Sequence, residues 1–125
     1  MSVVYDAGAI IAADRSDREL WADHRVRLEL GQVPVTTAPV VAQVSRSPRQ
    51  AQLRRFLRGC EIVAFSPEQA HAVGSLLATT RTQDVVDAHV AIVAALRKST
   101  VITSDPGDLQ LLSDHLEHPV PIRGM

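Results

Sequence analysis

Val-Val-Tyr-Asp-Ala-Gly-Ala-Ile-Ile, residues 3–11, changes pattern in its middle. Val3–Tyr5 is a short, continuous apolar run, which predicts a buried strand. Asp6 ends that run. Ala7–Ala13 is apolar and Ala-rich, and reads as a helix that starts immediately after the acid. A strand buried on both faces and feeding straight into a helix is the repeating unit of a parallel sheet covered by helices.

The same alternation continues outward from this stretch. Glu19–Leu30 places Leu20, Trp21, His24 and Leu28 near helical spacing, and Gly31 follows as a helix stop. Val33–Thr37 is extended. Ala38–Val44 is helical, with Pro39 in the first turn, where its missing N–H does no harm. Ser47-Pro48 breaks that helix, and Gln50–Leu57 is a short basic helix ending near Gly59. Glu61–Phe65 reads as a strand, and Ser66-Pro67-Glu68-Gln69 starts a helix that runs to about Ala78. Thr82–Asp84 opens an apolar, buried helix reaching about Lys98. Val101–Thr103 is a buried strand, Pro106-Gly107 a turn, Asp108–Leu116 a final helix and Val120–Ile122 a proline-flanked edge strand. The sum is an α/β protein with a parallel sheet.

The length of 125 residues fits one domain, residues 1–125, and the 46% apolar content supports a real core. Net charge is -1, so a polyanionic partner would have to be held by a local patch. Cys60 is the only cysteine, which excludes an internal disulfide and a Cys-rich metal site and fits a reduced, cytoplasmic setting. No signal peptide is visible, and the longest apolar run, Val90–Leu96, is too short to span a bilayer. No Gly-rich phosphate loop follows a strand, and Asp6-Ala7-Gly8 lacks the second acid that aspartyl-phosphate chemistry uses.

The acids gather where chemistry is expected. Asp6 follows the first strand and Asp105 the Val101–Thr103 strand, so both lie at the carboxyl edge of one sheet, where α/β proteins form their ligand crevice. Asp84 and Asp87 share one helical face. Each acid has a plainer reading as well: Asp6, Asp84 and Asp108 as helix caps, and Asp105 as a turn residue. A cap contributes about 1 kcal/mol, whereas two carboxylates about 4 Å apart repel by about 4 kcal/mol at an effective dielectric of about 20. Converging acids therefore ask for a cation or a retained proton. All-oxygen donors suit Mg²⁺ or Mn²⁺ and argue against zinc.

Four segments in order, VVYDAGAII (3–11), TAPVVAQVSR (37–46), DVVDAHVA (84–91) and VITSDPGDL (101–109), resemble the PIN-domain ribonucleases, in particular the toxins of VapBC-type toxin–antitoxin pairs. The resemblance covers the whole chain. It implies a three-layer α/β/α sandwich with a mostly parallel sheet. It implies Mg²⁺- or Mn²⁺-dependent endonucleolytic cleavage of RNA, neutralisation by a small cognate antitoxin, and a homodimer. It carries the family's acids onto Asp6, Asp87 and Asp105, with Asp108 as an auxiliary acid and Thr103 or Ser104 as the accompanying small hydroxyl residue; Asp6 and Asp87 are the expected metal ligands, and Asp84, one helical turn before Asp87, is a further catalytic candidate. One position departs from the pattern: Gln43 stands where the family usually carries a glutamate. An amide oxygen can orient water but brings no charge, so metal affinity should fall, with Asp84 able to compensate. The competing expectation is a PIN-like module that binds RNA or its antitoxin without efficient cleavage.

Arg46, Arg49, Arg54, Arg55 and Arg58 fall between Ser45 and Cys60 with no acid among them. They form a candidate phosphate-tracking surface, or else a solvated helix face. Aromatic residues are only 3% of the chain, so base stacking is not the expected mode of recognition. His89, two residues past Asp87, points away from that acid on a helix. Trp21 reads as core, or, if exposed, as part of a dimer or antitoxin groove.

Overall fold

A computed structural model describes residues 2–125; Met1, the first residue of the expected domain, lies outside them. Among the described residues there are five strands and seven helices: β1 (Val3–Tyr5), α1 (Ala7–Asp14), α2 (Arg18–Glu29), β2 (Val35–Thr37), α3 (Ala38–Val44), α4 (Ala51–Arg58), β3 (Glu61–Val63), α5 (Pro67–Thr80), α6 (Val85–Arg97), β4 (Thr100–Thr103), α7 (Pro106–Asp114) and β5 (Ile122–Gly124).

The strands form one sheet in the order β3-β2-β1-β4-β5, and every pairing is parallel, not merely most of them. Strand β1 is central and fully buried, as expected for a strand covered on both faces. Its alternate side chains enter opposite layers. Tyr5 packs its ring on Phe56 of α4 and near His24 of α2, with ring centroids 5.2 and 5.8 Å away. Helix α6 crosses the sheet against β1, β2 and β4, flanked by α5 and α7. Its most deeply buried part is Ala88–Ala91 with Val93 and Ala94, and Ala88, Val90, Ala91 and Ala94 are wholly inaccessible. Small side chains there let the helix lie close to the sheet.

Order reverses beside β1. The chain builds outward from β1 through β2 to β3, then crosses back to place β4 on the other side of β1. Such a switch point opens a crevice at the carboxyl ends of the two central strands. Register fixes what faces it. Tyr5 pairs with Ile102, and the Asp6 N–H donates to the Ile102 carbonyl at 3.2 Å, so Asp6 and Thr103 emerge side by side.

Boundaries differ from the sequence expectation at several element ends, and four of them have an identifiable structural setting. Strand β3 ends at Val63 rather than Phe65, and the Phe65 ring lies 4.6 Å from His89 of α6. Helix α5 runs on to Thr80, where Arg81 turns left-handed at φ 57°. Helix α7 begins at Pro106, not Asp108, because proline needs no N–H partner at a first helical position. The last strand is Ile122–Gly124 instead of Val120–Ile122. Both polar backbone groups of Val120 are engaged by the Ser113 hydroxyl at 2.8 Å, which leaves that residue none for the ladder.

Candidate metal and nuclease site

Asp6 is 4% exposed, at the junction of β1 and α1. One carboxylate oxygen accepts the Ala9 N–H at 2.9 Å and so caps α1. The other accepts the Thr103 hydroxyl, and Thr103 in turn accepts the Asp105 N–H at 3.0 Å. The capping reading and the crevice reading are therefore both true of this residue. Burial holds its pKa above the ordinary aspartate value; the hydrogen bonds from Thr103 and Ala9 pull it back, and the Asp105 charge pushes it up.

Asp84 caps α6, accepting the Asp87 N–H at 2.9 Å. Asp87 is half-buried in the first turn. Its carboxyl is pushed up to about 7, first by loss of solvent, then by the charges of Asp84, Asp6 and Asp108, and by a hydrogen bond to Asp84 that favours the protonated form. Asp84, Asp87 and Asp108 also line one cavity of about 150 Å³, closed by Thr82, Gln83, Leu111 and Leu112. Asp87 is thus the link between that wall and the β1/β4 crevice.

Asp105 and Asp108 are exposed in the segment after β4. Asp105 occupies the cap position of α7 without a side-chain capping bond, and Asp108 lies in the first turn rather than capping the helix. Asp105 is charge-coupled to Asp6. Thr103 rather than Ser104 is the hydroxyl that holds Asp6, as the strand register dictates. Gln43 is exposed on α3, and no hydrogen bond ties it to the acids. The fold therefore brings Asp6, Asp87, Asp84, Asp108 and Asp105 into one electrostatic neighbourhood, and leaves Gln43 outside its hydrogen-bond network.

The donor chemistry fits a hard divalent ion. A carboxyl lifted to about 7 by loss of solvent first and by neighbouring acids second is one that a bound cation would help to ionise. Among the described residues, however, no three His, Cys, Asp or Glu side chains form a ready-made metal cage. An ion of the Mg²⁺ type would not need one, because it keeps several waters and takes one or two carboxylates together with substrate phosphate oxygens.

The arginines are exposed, and none of the five makes an ion pair among the described residues. Arg46 donates to the Ala42 and Ser45 carbonyls, Arg54 to the Pro48 carbonyl, and Arg55 to Gln52. Gln50 and Gln52 tie the start of α4 to Asp14 and Ser16. Those residues mark the end of α1 remote from Asp6, so this anchorage is separated from the acids by roughly 12 Å of helix. His89 is fully buried and turned to Gln69 at 2.7 Å, away from the acids. The Cys60 thiol is pushed up to about 12 by burial, which disfavours the nucleophilic thiolate.

Two contacts were not legible in the sequence. Trp21 is half-buried, packed against the core on one side, with the Arg55 guanidinium 5.6 Å from its ring. With Arg18, Arg25 and Gln52 the pair lines a cavity of about 370 Å³ between α2 and α4. Gly8, inside the first motif, lies against Ser104 of the last.

No protein-family model matches the chain, and no curated protein matches it. Solved structures do. VapBC2 from Rickettsia felis, solved bound to a DNA fragment from its promoter, aligns over 100% of this chain and 99% of its own with a TM-score of 0.75 at 16% identity. PAE2754 from Pyrobaculum aerophilum aligns over 98% of this chain and 89% of its own with a TM-score of 0.64 at 13% identity. At such identities the likeness is one of fold: the chain has the PIN-like α/β/α architecture that its sequence motifs resemble.

Proposed function

We propose that this chain is a Mg²⁺- or Mn²⁺-dependent endoribonuclease, the toxin of a toxin–antitoxin pair. The observation that carries the reading is the Asp87 carboxyl, crowded by Asp84, Asp6 and Asp108 beside the switch point of the sheet. Capping alone explains Asp84 and Asp6, yet it gives no reason to set further acids around a half-buried carboxyl. Asp6 and Asp87 would hold the ion, with Asp84, Asp105 and Asp108 contributing negative potential and outer contacts to its water shell. A bound ion supplies Lewis acidity at the phosphate and lowers the pKa of a coordinated water. Thr103 fixes the Asp6 carboxylate and, through its bond from the Asp105 N–H, the start of the loop after β4. Asp87 must release its proton to bind, so a cation and a proton compete at that carboxyl.

The exposed arginines Arg46, Arg49, Arg54, Arg55 and Arg58 are the proposed RNA-contacting surface, holding the strand along its backbone away from the cut itself. The α2–α4 groove, basic at its rim and floored by Trp21, suits an acidic amphipathic segment of an antitoxin. Support for such a partner comes from the structural likeness to VapBC2. A homodimer and a cytoplasmic location belong to the same proposal; no described helix is long and apolar enough to cross a membrane.

A second reading has its own observation. Gln43 lies outside the acidic network and no three-ligand cage is formed among the described residues, as a PIN-like module that binds RNA or antitoxin without efficient cleavage would show. One titration separates the two. Purified protein that cuts RNA as Mg²⁺ or Mn²⁺ is added, stops with a chelator, and is inactive as Asp87→Asn is a nuclease. Protein that binds RNA with a salt-dependent affinity but leaves it intact at every metal concentration is the module.

A further inference from the structure

Gly8 is the second residue of α1, and its backbone does not require glycine: among the described glycines only Gly31 has a positive φ. A glycine within a helix costs about 0.8–1 kcal/mol relative to alanine, so its presence calls for a spatial reason. The reason is Ser104. A Cβ added at Gly8 would overlap the Ser104 Oγ outright, would lie 3.2 Å from the Ser104 Cβ, and would stand 3.5 Å from the Asp6 carboxylate. Rotating the serine would move its hydroxyl but leave the tight Cβ contact, so α1 and the segment after β4 would have to part slightly. In that segment the neighbours of Ser104 on either side are committed to the acidic site. Thr103 donates to Asp6, the Asp105 N–H donates to Thr103, and the Asp105 charge acts on Asp6.

From this we infer that Gly8 is a positioning residue: its missing side chain makes the recess into which Ser104 fits, and that fit sets the Thr103–Asp105 segment against Asp6. The first and last motifs of the chain are then coupled by size, a bare α-carbon on one and a small hydroxyl side chain on the other. Part of the consequence, the effect on a bound divalent ion, rests on the nuclease reading. The rest concerns only how the segment after β4 is held.

The test uses Gly8→Ala, Ser104→Gly and the two combined, each as full chain. The first readout needs no metal: amide hydrogen exchange at Asp105, whose N–H is held by Thr103. The expected result is roughly tenfold faster exchange in Gly8→Ala, equivalent to about 1.4 kcal/mol of lost protection against local opening. Adding Ser104→Gly returns the rate to near that of Ser104→Gly alone. Helix stability should hold or rise, because alanine favours helix over glycine. The second readout is Mn²⁺ titration by calorimetry, in which Gly8→Ala weakens binding and the double variant recovers it. Unchanged Asp105 exchange in Gly8→Ala, or no recovery in the double variant, overturns the inference. Wild-type protein that takes up no Mn²⁺, while the exchange pattern appears as stated, overturns the nuclease reading and leaves the positioning role intact.

Discussion

Replacing Asp87 by Asn should stabilise the metal-free protein at alkaline pH. The folded carboxyl is pushed up from 3.8 to about 7, so the folded state keeps a proton that the unfolded chain gives up. The sign follows from that difference. The favourable contribution of Asp87 is complete below about pH 4, and is lost as pH rises through about 7, where the folded group must ionise beside Asp84, Asp6 and Asp108. A shift of about three units corresponds to at most roughly 4 kcal/mol. Asp87 is only half-buried, and solvent screening cuts that ceiling to about 1–2 kcal/mol. Asparagine also gives up the favourable placement of a negative charge in the first turn of α6, about 0.3–1 kcal/mol. The cost of ionising Asp87, set first by loss of solvent and then by the neighbouring acids, is the larger, and a net gain of about 1 kcal/mol remains, or roughly 3–6 °C in melting temperature for a domain of this size. The assay is thermal unfolding with chelator at about pH 8 and about pH 5, repeated in millimolar MgCl₂. The variant should melt higher than wild type at the alkaline pH, and the difference should shrink at the acidic one. Mg²⁺ should raise the wild-type melting temperature and leave the variant nearly unmoved. A variant that melts lower than wild type at about pH 8 without metal, or equal stabilisation of both proteins by Mg²⁺, would show that the acids are not mutually repulsive and that the site is a set of caps.

Thr103→Val keeps the shape of the side chain but removes the hydroxyl shared by Asp6 and the Asp105 N–H; it should destabilise the metal-free fold by about 1–3 kcal/mol in urea melts and weaken Mn²⁺ binding, and loss of neither would remove Thr103 from the site. Gln43→Glu adds one carboxylate on α3 and should tighten Mn²⁺ binding roughly tenfold by calorimetry, equivalent to about 1.4 kcal/mol; an unchanged affinity places that position outside the metal's reach. His89 has its pKa held below the ordinary value by burial, so the unfolded chain takes up its proton first and stability falls as pH drops through about 6.5. His89→Phe should therefore narrow the loss of melting temperature between about pH 7 and pH 5, and an equal loss in both proteins would show that the buried imidazole does not drive it.

The strand–helix alternation was legible because each short central strand is buried on both faces. Val3–Tyr5 and Val101–Thr103 have no polar side to confuse the pattern, and Gly31 supplies a left-handed turn where a helix had to stop. Boundaries were less legible where a side chain far away in the chain decides them. Val120 cannot join the ladder because Ser113 occupies its backbone groups, and Phe65 leaves β3 to lie beside His89. Nothing local in either segment reports those partners.

The acids divide in the same way. Their identity and their places after strands and at helix starts are local properties, and the sequence alone determined that Asp6, Asp84, Asp87, Asp105 and Asp108 were the residues to watch. Which of them feel one another was decided only by the crossover that sets β4 beside β1 and by the register that pairs Tyr5 with Ile102. That register gives Asp6 the Thr103 hydroxyl, and the fold brings Asp87 within reach of the Asp6 charge. It also puts Ser104 in the space that Gly8 leaves, and keeps Gln43 apart from the acids' hydrogen bonds. The physical reason is range: strand and helix propensities act over a few neighbouring residues, whereas repulsion between carboxylates and contact between side chains depend on distances that exist only once the sheet has closed.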